Sequence, residues 1–281
     1  MRKLTKHTCI LVSLIHYSLL ESSTRRIVLL GKTGAGKSHL GNTIFDEKKF
    51  PVHHTFSSGT KECKAETKSV NGRNITLIDT PGFFDTGLPE EELEAEIVRC
   101  ITECAPGPHA FLIVLKLERI TEHEKAVIKK IKKYFSEEVL KYSVVFTHGD
   151  QLPEGQTIER YVLQNDFVRA LVEKCGGRWH IVDNKYWNGK PANEYRSNQF
   201  QVKKLLNTIE QAVQKNGGVY YTNEMLQNTE NEIQEESETI RLLSPDTPEE
   251  EIRQQAKVSV FKKLLIRLTG IGVGALFSWF D

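Results

Sequence analysis

Lys37 and Ser38 close an eight-residue stretch, Gly31-Lys32-Thr33-Gly34-Ala35-Gly36-Lys37-Ser38, whose residue types suit the binding of a polyphosphate. The glycines let the backbone turn several N–H groups inward, forming a concave anion site at a helix N-terminus. Lys37 adds a point charge for the β- and γ-phosphates, and the Ser38 hydroxyl suits a Mg2+ ligand. Further along, Asp79-Thr80-Pro81-Gly82 offers a carboxylate to hold the Mg2+ shell through water. Gly82 has no Cβ, so its N–H can approach a γ-phosphate. Thr147-His148-Gly149-Asp150 ends in an aspartate able to take the N1–H and N2–H of guanine. The usual lysine of that motif is replaced by His148, whose ring could stack on a base as a lysine stem does. Asp183-Asn184-Lys185 offers an asparagine that could contact the same base.

These residues need elements to hold them. Arg26-Ile27-Val28-Leu29-Leu30 reads as a buried parallel strand leading into the glycine-rich loop, and His39 to Phe45 as the helix leaving it. Lys61–Val70 and Arg73–Ile78 flank Asn71-Gly72, a strong hairpin signal, so the second of these strands delivers Asp79. Leu88–Cys104 is acidic and helical, with Leu93, Ile97 and Ile101 on one face. A central strand follows over His109–Leu117, then a helix capped at Thr121-Glu122-His123-Glu124 that carries Val127, Ile128, Ile131 and Phe135. Ser143–Thr147 is the next strand, Ile158–Lys174 a helix, Arg178–Lys185 a short strand and loop, and Phe200–Val213 a closing amphipathic helix. Alternating strands and helices predict an α/β fold: a doubly wound, mostly parallel sheet with one antiparallel edge strand and the ligand at the carboxyl ends of the strands.

The composition fits this reading. With 39% hydrophobic and 27% charged residues the chain can bury a sizeable core, and a net charge of +1 gives no support for nucleic-acid binding. The five cysteines are odd in number and scattered. Cys100 and Cys104 stand four apart on a helix without a second pair to complete a zinc set, which favours free or buried thiols in a reducing compartment.

Three regions are expected: an apolar N-terminal extension (1–24), a nucleotide-binding domain (25–216) and a helical extension (217–281). The N-terminus pairs a basic start with an apolar run from Cys9 to Leu20. A loosely docked or poorly ordered extension is the favoured reading, ahead of a membrane-contacting segment and a cleaved signal, because a small-x-small cleavage site is lacking. Beyond Gly217 the chain is rich in Glu and Gln, with helices broken near Pro245 and Pro248. It ends in a Lys262-Lys263 pair and an apolar tail carrying Gly270, Gly272 and Gly274. Residues 258–281 could lie in a membrane interface or act as a marginal tail anchor, or could dock back on the preceding domain.

The stretches Ile27–Thr43, Thr60–Cys63, Leu77–Thr86, Ala105–Glu124, Phe146–Asp150 and Cys175–Lys185 carry a resemblance that covers about Arg25 to Val213. The sequence resembles the immunity-associated (AIG-type, GIMAP) GTPases, relatives of septins and of the chloroplast outer-envelope import GTPases. In that family the histidine form of the base motif is ordinary, which supports guanine. The resemblance implies a P-loop GTPase with a C-terminal helical extension, binding GTP or GDP and Mg2+. Gly31 to Ser38 would bind phosphates and metal, and His39 and Val52 would lie near the sugar and α-phosphate. Thr60 would be the switch threonine that senses γ-phosphate and Mg2+, and His148, Asp150 and Asn184 would read the base. The metal set is then Ser38, Thr60 and, through water, Asp79.

Phe83 stands where efficient GTPases of the Ras type keep a water-orienting glutamine, so hydrolysis by an isolated monomer should be slow. The family is thought to dimerise through its nucleotide face, which makes Arg119 a candidate arginine supplied in trans; it reads equally well as a solvated charge at a helix entry. The expected protein is a GTP-binding switch with weak, Mg2+-dependent hydrolysis, assembling as a homo-oligomer or with related GTPases when loaded. It would be cytoplasmic, with the cytosolic face of an organelle membrane as the surface its tail could meet. The alternative is a non-catalytic, nucleotide-bound scaffold acting through its C-terminal helices.

Overall fold

The computed structural model describes residues 24–52, 60, 62–82, 90–189 and 194–271. The N-terminal extension, Phe83 and the final apolar tail from residue 272 lie outside these. Among the described residues six strands form one sheet: β1 (Arg25–Leu30), β2 (Lys64–Val70), β3 (Arg73–Asp79), β4 (Ala110–Lys116), β5 (Ser143–Thr147) and β6 (Trp179–Ile181). Their order is β2-β3-β1-β4-β5-β6, with β2 antiparallel to β3 and every other pairing parallel. The continuous apolar runs of β1 and β4 follow from this order, since central parallel strands are covered on both faces. Ile27 to Leu30 and Phe111 to Val114 are fully buried. β2 forms an edge and alternates exposed and half-buried positions. The Asn71-Gly72 turn joins it to β3, both residues lying at positive φ as a two-residue hairpin requires.

Helices α1 (Lys37–Phe45), α2 (Glu90–Cys104), α3 (Glu122–Phe135), α4 (Ile158–Gln164), α5 (Asp166–Lys174) and α6 (Asn198–Lys215) complete the α/β unit. Thr121 opens α3 with a capping box, its side chain accepting the His123 N–H at 3.2 Å while Glu124 accepts the Thr121 N–H at 2.8 Å. The single helix expected over Ile158–Lys174 is in fact two. Asn165 leaves helical dihedrals, and its Oδ1 accepts the Val168 N–H at 3.0 Å, capping α5. A short amide side chain that competes for backbone donors breaks a helix where periodicity alone would run it through.

Beyond α6, the Tyr221 N–H donates to the Pro108 carbonyl at 2.8 Å and the Tyr221 ring packs edge-on against Phe111. That stitch anchors a helical hairpin, α7 (Glu224–Leu243) and α8 (Glu249–Ile271), turning near Pro245 and Pro248 as expected. The hairpin packs on α2. Its own small core holds Ala105, Ile233, Ala256 and Val260. Arg253 of α8 makes a bidentate pair with Glu230 of α7, at 3.0 and 2.7 Å, and reaches the Ala105 carbonyl at 3.2 Å. Lys257 pairs with Glu103 of α2 at 3.1 Å. α8 stays docked beyond Val260: Leu264 packs on the same small core, and Lys263 and Arg267 pair with Glu236 and Glu232 of α7, while Lys262 and Ile266 are exposed. Among the described residues no helix is long and apolar enough to cross a membrane.

Candidate functional site

The phosphate loop links β1 to α1 at the carboxyl end of the sheet. Gly31 has no space for a side chain, because a Cβ would stand 2.4 Å from the Val114 carbonyl oxygen of β4. Gly36, at φ 87°, begins α1 in the left-handed region. The loop is held from β5 by Thr147, whose Oγ1 donates to the Ala35 carbonyl at 2.8 Å. The buried Lys37 ammonium arches over the loop and donates to the Gly31 and Lys32 carbonyls at 2.9 and 3.0 Å. It is therefore at the loop's concave side, while the Lys32 side chain points elsewhere. The Lys32 ammonium pairs with Glu118 at 3.0 Å and with the buried Glu124 of α3. Burial opposes charge on both Lys32 and Glu124, yet their pairing wins, raising the lysine and holding the Glu124 carboxyl down at about 2.

Ser38, Thr60 and Asp79 converge. Ser38 Oγ donates to Asp79 Oδ2 at 2.6 Å and lies 2.8 Å from Thr60 Oγ1. Asp79 is 1% exposed, and its Oδ1 has no hydrogen-bond partner among the described residues. Burial pushes its carboxyl above the ordinary range, only partly offset by Ser38, the Lys37 charge and Thr60. A buried, incompletely satisfied carboxylate beside two hydroxyls is a hard oxygen set of the kind that would hold Mg2+. Gly82, three residues past Asp79, lies against the loop, where a Cβ would meet Thr33 Oγ1 at 1.7 Å.

The base-reading candidates sit at the ends of β5 and β6. His148 is half-buried and left-handed, at φ 61° and ψ 48°, with Nδ1 3.0 Å from Thr147 Oγ1. Burial, then the nearby Lys116, lowers its basicity, so the ring is neutral near pH 7. Gly149 lies on Trp187, and a Cβ there would stand 2.5 Å from the indole. Asp150 is exposed on the turn that follows. Asn184 is turned toward α1, its Oδ1 accepting from Thr43 Oγ1 at 3.1 Å and its Nδ2 3.5 Å from the Gly36 carbonyl. It lines a groove of about 1000 Å³ together with His39, Thr43 and Val52, which brings the candidates from the two halves of the site together. Arg119 is exposed, without an ion pair among the described residues, and lines a separate groove with Ile120, Phe146, Tyr161 and Val168.

Three residues of the site were not singled out from the sequence. Thr147, at the end of an apolar strand facing the loop, could have been found as a hydroxyl placed to hold a backbone carbonyl. Asp183 and Asn198 carried no local signal. Asp183 accepts the Asp150 and Lys185 N–H groups at 3.3 and 3.0 Å and that of Tyr186 as well. The Asn198 Oδ1 accepts the Asp183 N–H at 3.1 Å from α6.

A phosphate loop between β1 and α1, a carboxylate at the end of β3 and a β2-β3-β1-β4-β5-β6 sheet define a P-loop GTPase fold. Structures of Toc33 from Arabidopsis thaliana share it. The complex with GDP and Mg2+ aligns with a TM-score of 0.51 at 18% identity, over 75% of this chain and 92% of that one. The complex with Mg2+ and GMPPNP gives 0.52 at 18% identity over the same shares. A profile described as the AIG1 family matches residues 25–240, and the chain belongs to that family. Among its Arabidopsis relatives, immune-associated nucleotide-binding protein 13 is 35% identical over 239 residues, covering 83% of this chain and 70% of that protein. Immune-associated nucleotide-binding protein 8 is 37% identical, over 71% of this chain and 56% of its own length. Immune-associated nucleotide-binding protein 1 is 33% identical over 73% of this chain and 91% of its own. The chain spans less than two thirds of several such relatives, 43% of one and 62% of another.

Proposed function

We propose that this protein is a Mg2+-dependent guanine-nucleotide switch, and one observation carries the reading: the meeting of Ser38, Thr60 and Asp79 beside Lys37. Gly31 to Ser38 cradle the phosphates through backbone N–H groups, with Lys37 exchanging its carbonyl contacts for phosphate oxygens. Ser38, Thr60 and, through water, Asp79 hold the metal, which when bound neutralises charge on the β- and γ-phosphates. Thr60 reports the γ-phosphate, because its hydroxyl lies in the Ser38–Asp79 cluster while its chain belongs to the loop before β2. Gly82 approaches from the other side. Asp150 reads guanine N1–H and N2–H, His148 flanks the ring, and His39, Val52 and Asn184 line the groove beside the sugar.

Hydrolysis by the monomer is slow, since Phe83 cannot polarise water. Loaded copies, or copies with related GTPases, meet through the nucleotide face, and Arg119, exposed and without an ion pair among the described residues, is the group offered in trans. This part of the reading is aided by a further Toc33 structure, reported with the statement that dimerization is important for the GTPase activity of Toc33 and psToc159. The protein acts in the cytoplasm, and the exposed positions of α8 around Lys262 and Ile266, with the tail beyond, give the loaded form contact with an organelle membrane surface.

The deciding experiment is light scattering after size exclusion, with GDP and then with a non-hydrolysable GTP analogue plus Mg2+. A larger mass only with the analogue supports the switch. An unchanged mass with nucleotide bound favours a scaffold that acts through α7 and α8.

A further inference from the structure

Asp183 bonds to two segments, the turn that carries Asp150 and the loop that carries Asn184, alongside the Gly149 N–H that donates to the Val182 carbonyl at 3.0 Å. It stands at the end of β6 and is 2% exposed. One carboxylate oxygen accepts the Asp150 N–H at 3.3 Å, and the other accepts the N–H groups of Lys185 at 3.0 Å and of Tyr186. Its own N–H donates to Asn198 Oδ1 at 3.1 Å, and its carbonyl receives the Asn198 amide, which also donates to Asn188 Oδ1 at 2.6 Å. The Asp183 backbone is thereby fixed by α6 while its carboxylate grips the Asp150 turn on one side and the Asn184 loop on the other.

We propose that Asp183 is a positioning residue for base recognition, which sets where Asp150 stands and makes guanine binding by Asp150 depend on the charge of this neighbour. The inference rests on the reading of Asp150 as the guanine-binding carboxylate.

The electrostatics agree with the geometry. Asp150 is pushed above the ordinary carboxylate range by desolvation, then by its hydrogen bond with Asp183 and by the charge of that group, with His148 acting against the shift. Burial would raise Asp183 too, but the hydrogen bond from Asp150 and the N–H groups of Tyr186, Lys185 and Asp150 overcome it, so Asp183 stays ionised at lower pH. The other charged groups facing the pair are Lys185 on the loop and, beyond His148, Lys116 and Glu118 from β4 and its exit. Guanine presents two donors to Asp150, so only the ionised carboxylate can accept both. The neighbouring negative charge therefore brings the acid-side loss of guanine affinity closer to neutral pH than an isolated aspartate would allow.

The test uses the full chain with Mg2+ and fluorescent mant-GDP, titrated at pH values from about 5 to about 8, a range that spans a raised carboxylate. For the unaltered protein, affinity should fall on the acid side above the ordinary carboxylate range. Asp183→Asn keeps an oxygen for the Lys185 and Tyr186 N–H groups but removes the charge, and should move that fall down by about half a pH unit or more. Asp183→Ala, which removes the grip as well, should weaken binding about tenfold or more at neutral pH. The side-chain carboxyl 13C resonance of Asp150 in the unaltered protein measures its titration directly, apart from His148 and from any folding defect in a variant. An Asp183→Asn profile that superimposes on the parent, or an ordinary Asp150 titration, overturns the proposal. Asp150→Asn is the control for the underlying reading and should lose GDP affinity by about a hundredfold. If it binds GDP like the parent, the base assignment itself fails, a result distinct from an unmoved Asp183→Asn profile.

Discussion

Gly82 and Thr33 touch so closely that a methyl group on Gly82 would lie 1.7 Å from the Thr33 hydroxyl and 2.6 Å from its backbone nitrogen. Gly82, three residues past the β3 carboxylate, is thus packed on the phosphate loop before any ligand arrives. Gly82→Ala must displace either Thr33 or the chain leaving β3. Because the backbone nitrogen is also too near, trimming the threonine side chain does not relieve the clash. Nucleotide affinity is expected to fall about tenfold or more, the scale of losing one or two backbone donors to phosphate. Isothermal titration with GDP checks this, and Gly82→Ala,Thr33→Ala, which removes the clashing hydroxyl, should not restore binding.

Asp79 gives a stability test with a definite sign. Its folded-state carboxyl is raised by burial, so the folded protein holds a proton more tightly than the unfolded chain does. Stability in the absence of Mg2+ should therefore decline as pH rises from the ordinary carboxylate range through the raised one, and Mg2+ with nucleotide should remove the decline. Asp79→Asn should raise the Tm of the metal-free protein at neutral pH, by the equivalent of about 1 kcal/mol, while abolishing stabilisation by Mg2+ and GDP. Thermal scans with and without EDTA separate the two effects.

His180 behaves in the opposite sense. It is buried on β6 with neither ring nitrogen hydrogen-bonded among the described residues, and burial pulls it down to about 3. The unfolded chain takes up a proton near pH 6.5 that the folded protein refuses until about pH 3. Stability contributed by the neutral ring is present above pH 6.5 and is lost as pH falls through that window. Each pH unit below the ordinary histidine value costs about 1.4 kcal/mol at most. His180→Phe should therefore gain on the parent in urea midpoint at pH 5 relative to pH 7.5. An equal difference at the two pH values would mean that His180 does not govern acid sensitivity.

Arg253 and Glu230 tie α8 to α7 with both side chains largely buried, 14% and 11% exposed. Removing the arginine leaves the carboxylate and the Ala105 carbonyl short of a donor. Arg253→Ala should cost about 3 kcal/mol, whereas the double change Arg253→Met,Glu230→Leu should recover most of that loss. Urea unfolding followed by far-ultraviolet circular dichroism reports both values.

The parts of this molecule that could be read from the sequence are those where one residue type has one physical use. The run Gly31 to Ser38, Asp79 at a strand end and the Asn71-Gly72 turn each dictate backbone geometry locally, and each lies where its pattern places it. The central strands were legible because burial on both faces leaves an uninterrupted apolar run. Asn165 was not legible as a helix break, since the apolar spacing of α4 and α5 continues across it. Asp183 looked like part of a loop, because its partners at Asp150 and Asn198 are brought to it only by the sheet order and by α6. Asn184 illustrates the same limit: an asparagine near a base could be inferred, but not that Thr43 and Gly36 would engage its amide.

The sheet's two margins bear on how copies of this chain can meet. At one side runs β2, which carries Lys64, Glu66 and Lys68, with Lys64 and Glu66 paired to each other and Lys68 bonded to the Phe45 carbonyl and Glu47. At the other side β6 is only three residues long. A charged border and a very short one both discourage backbone-to-backbone stitching between molecules. Association is thereby channelled to surfaces where side chains, loops and bound ligand do the recognising, and these can be switched, as a ribbon of peptide hydrogen bonds cannot.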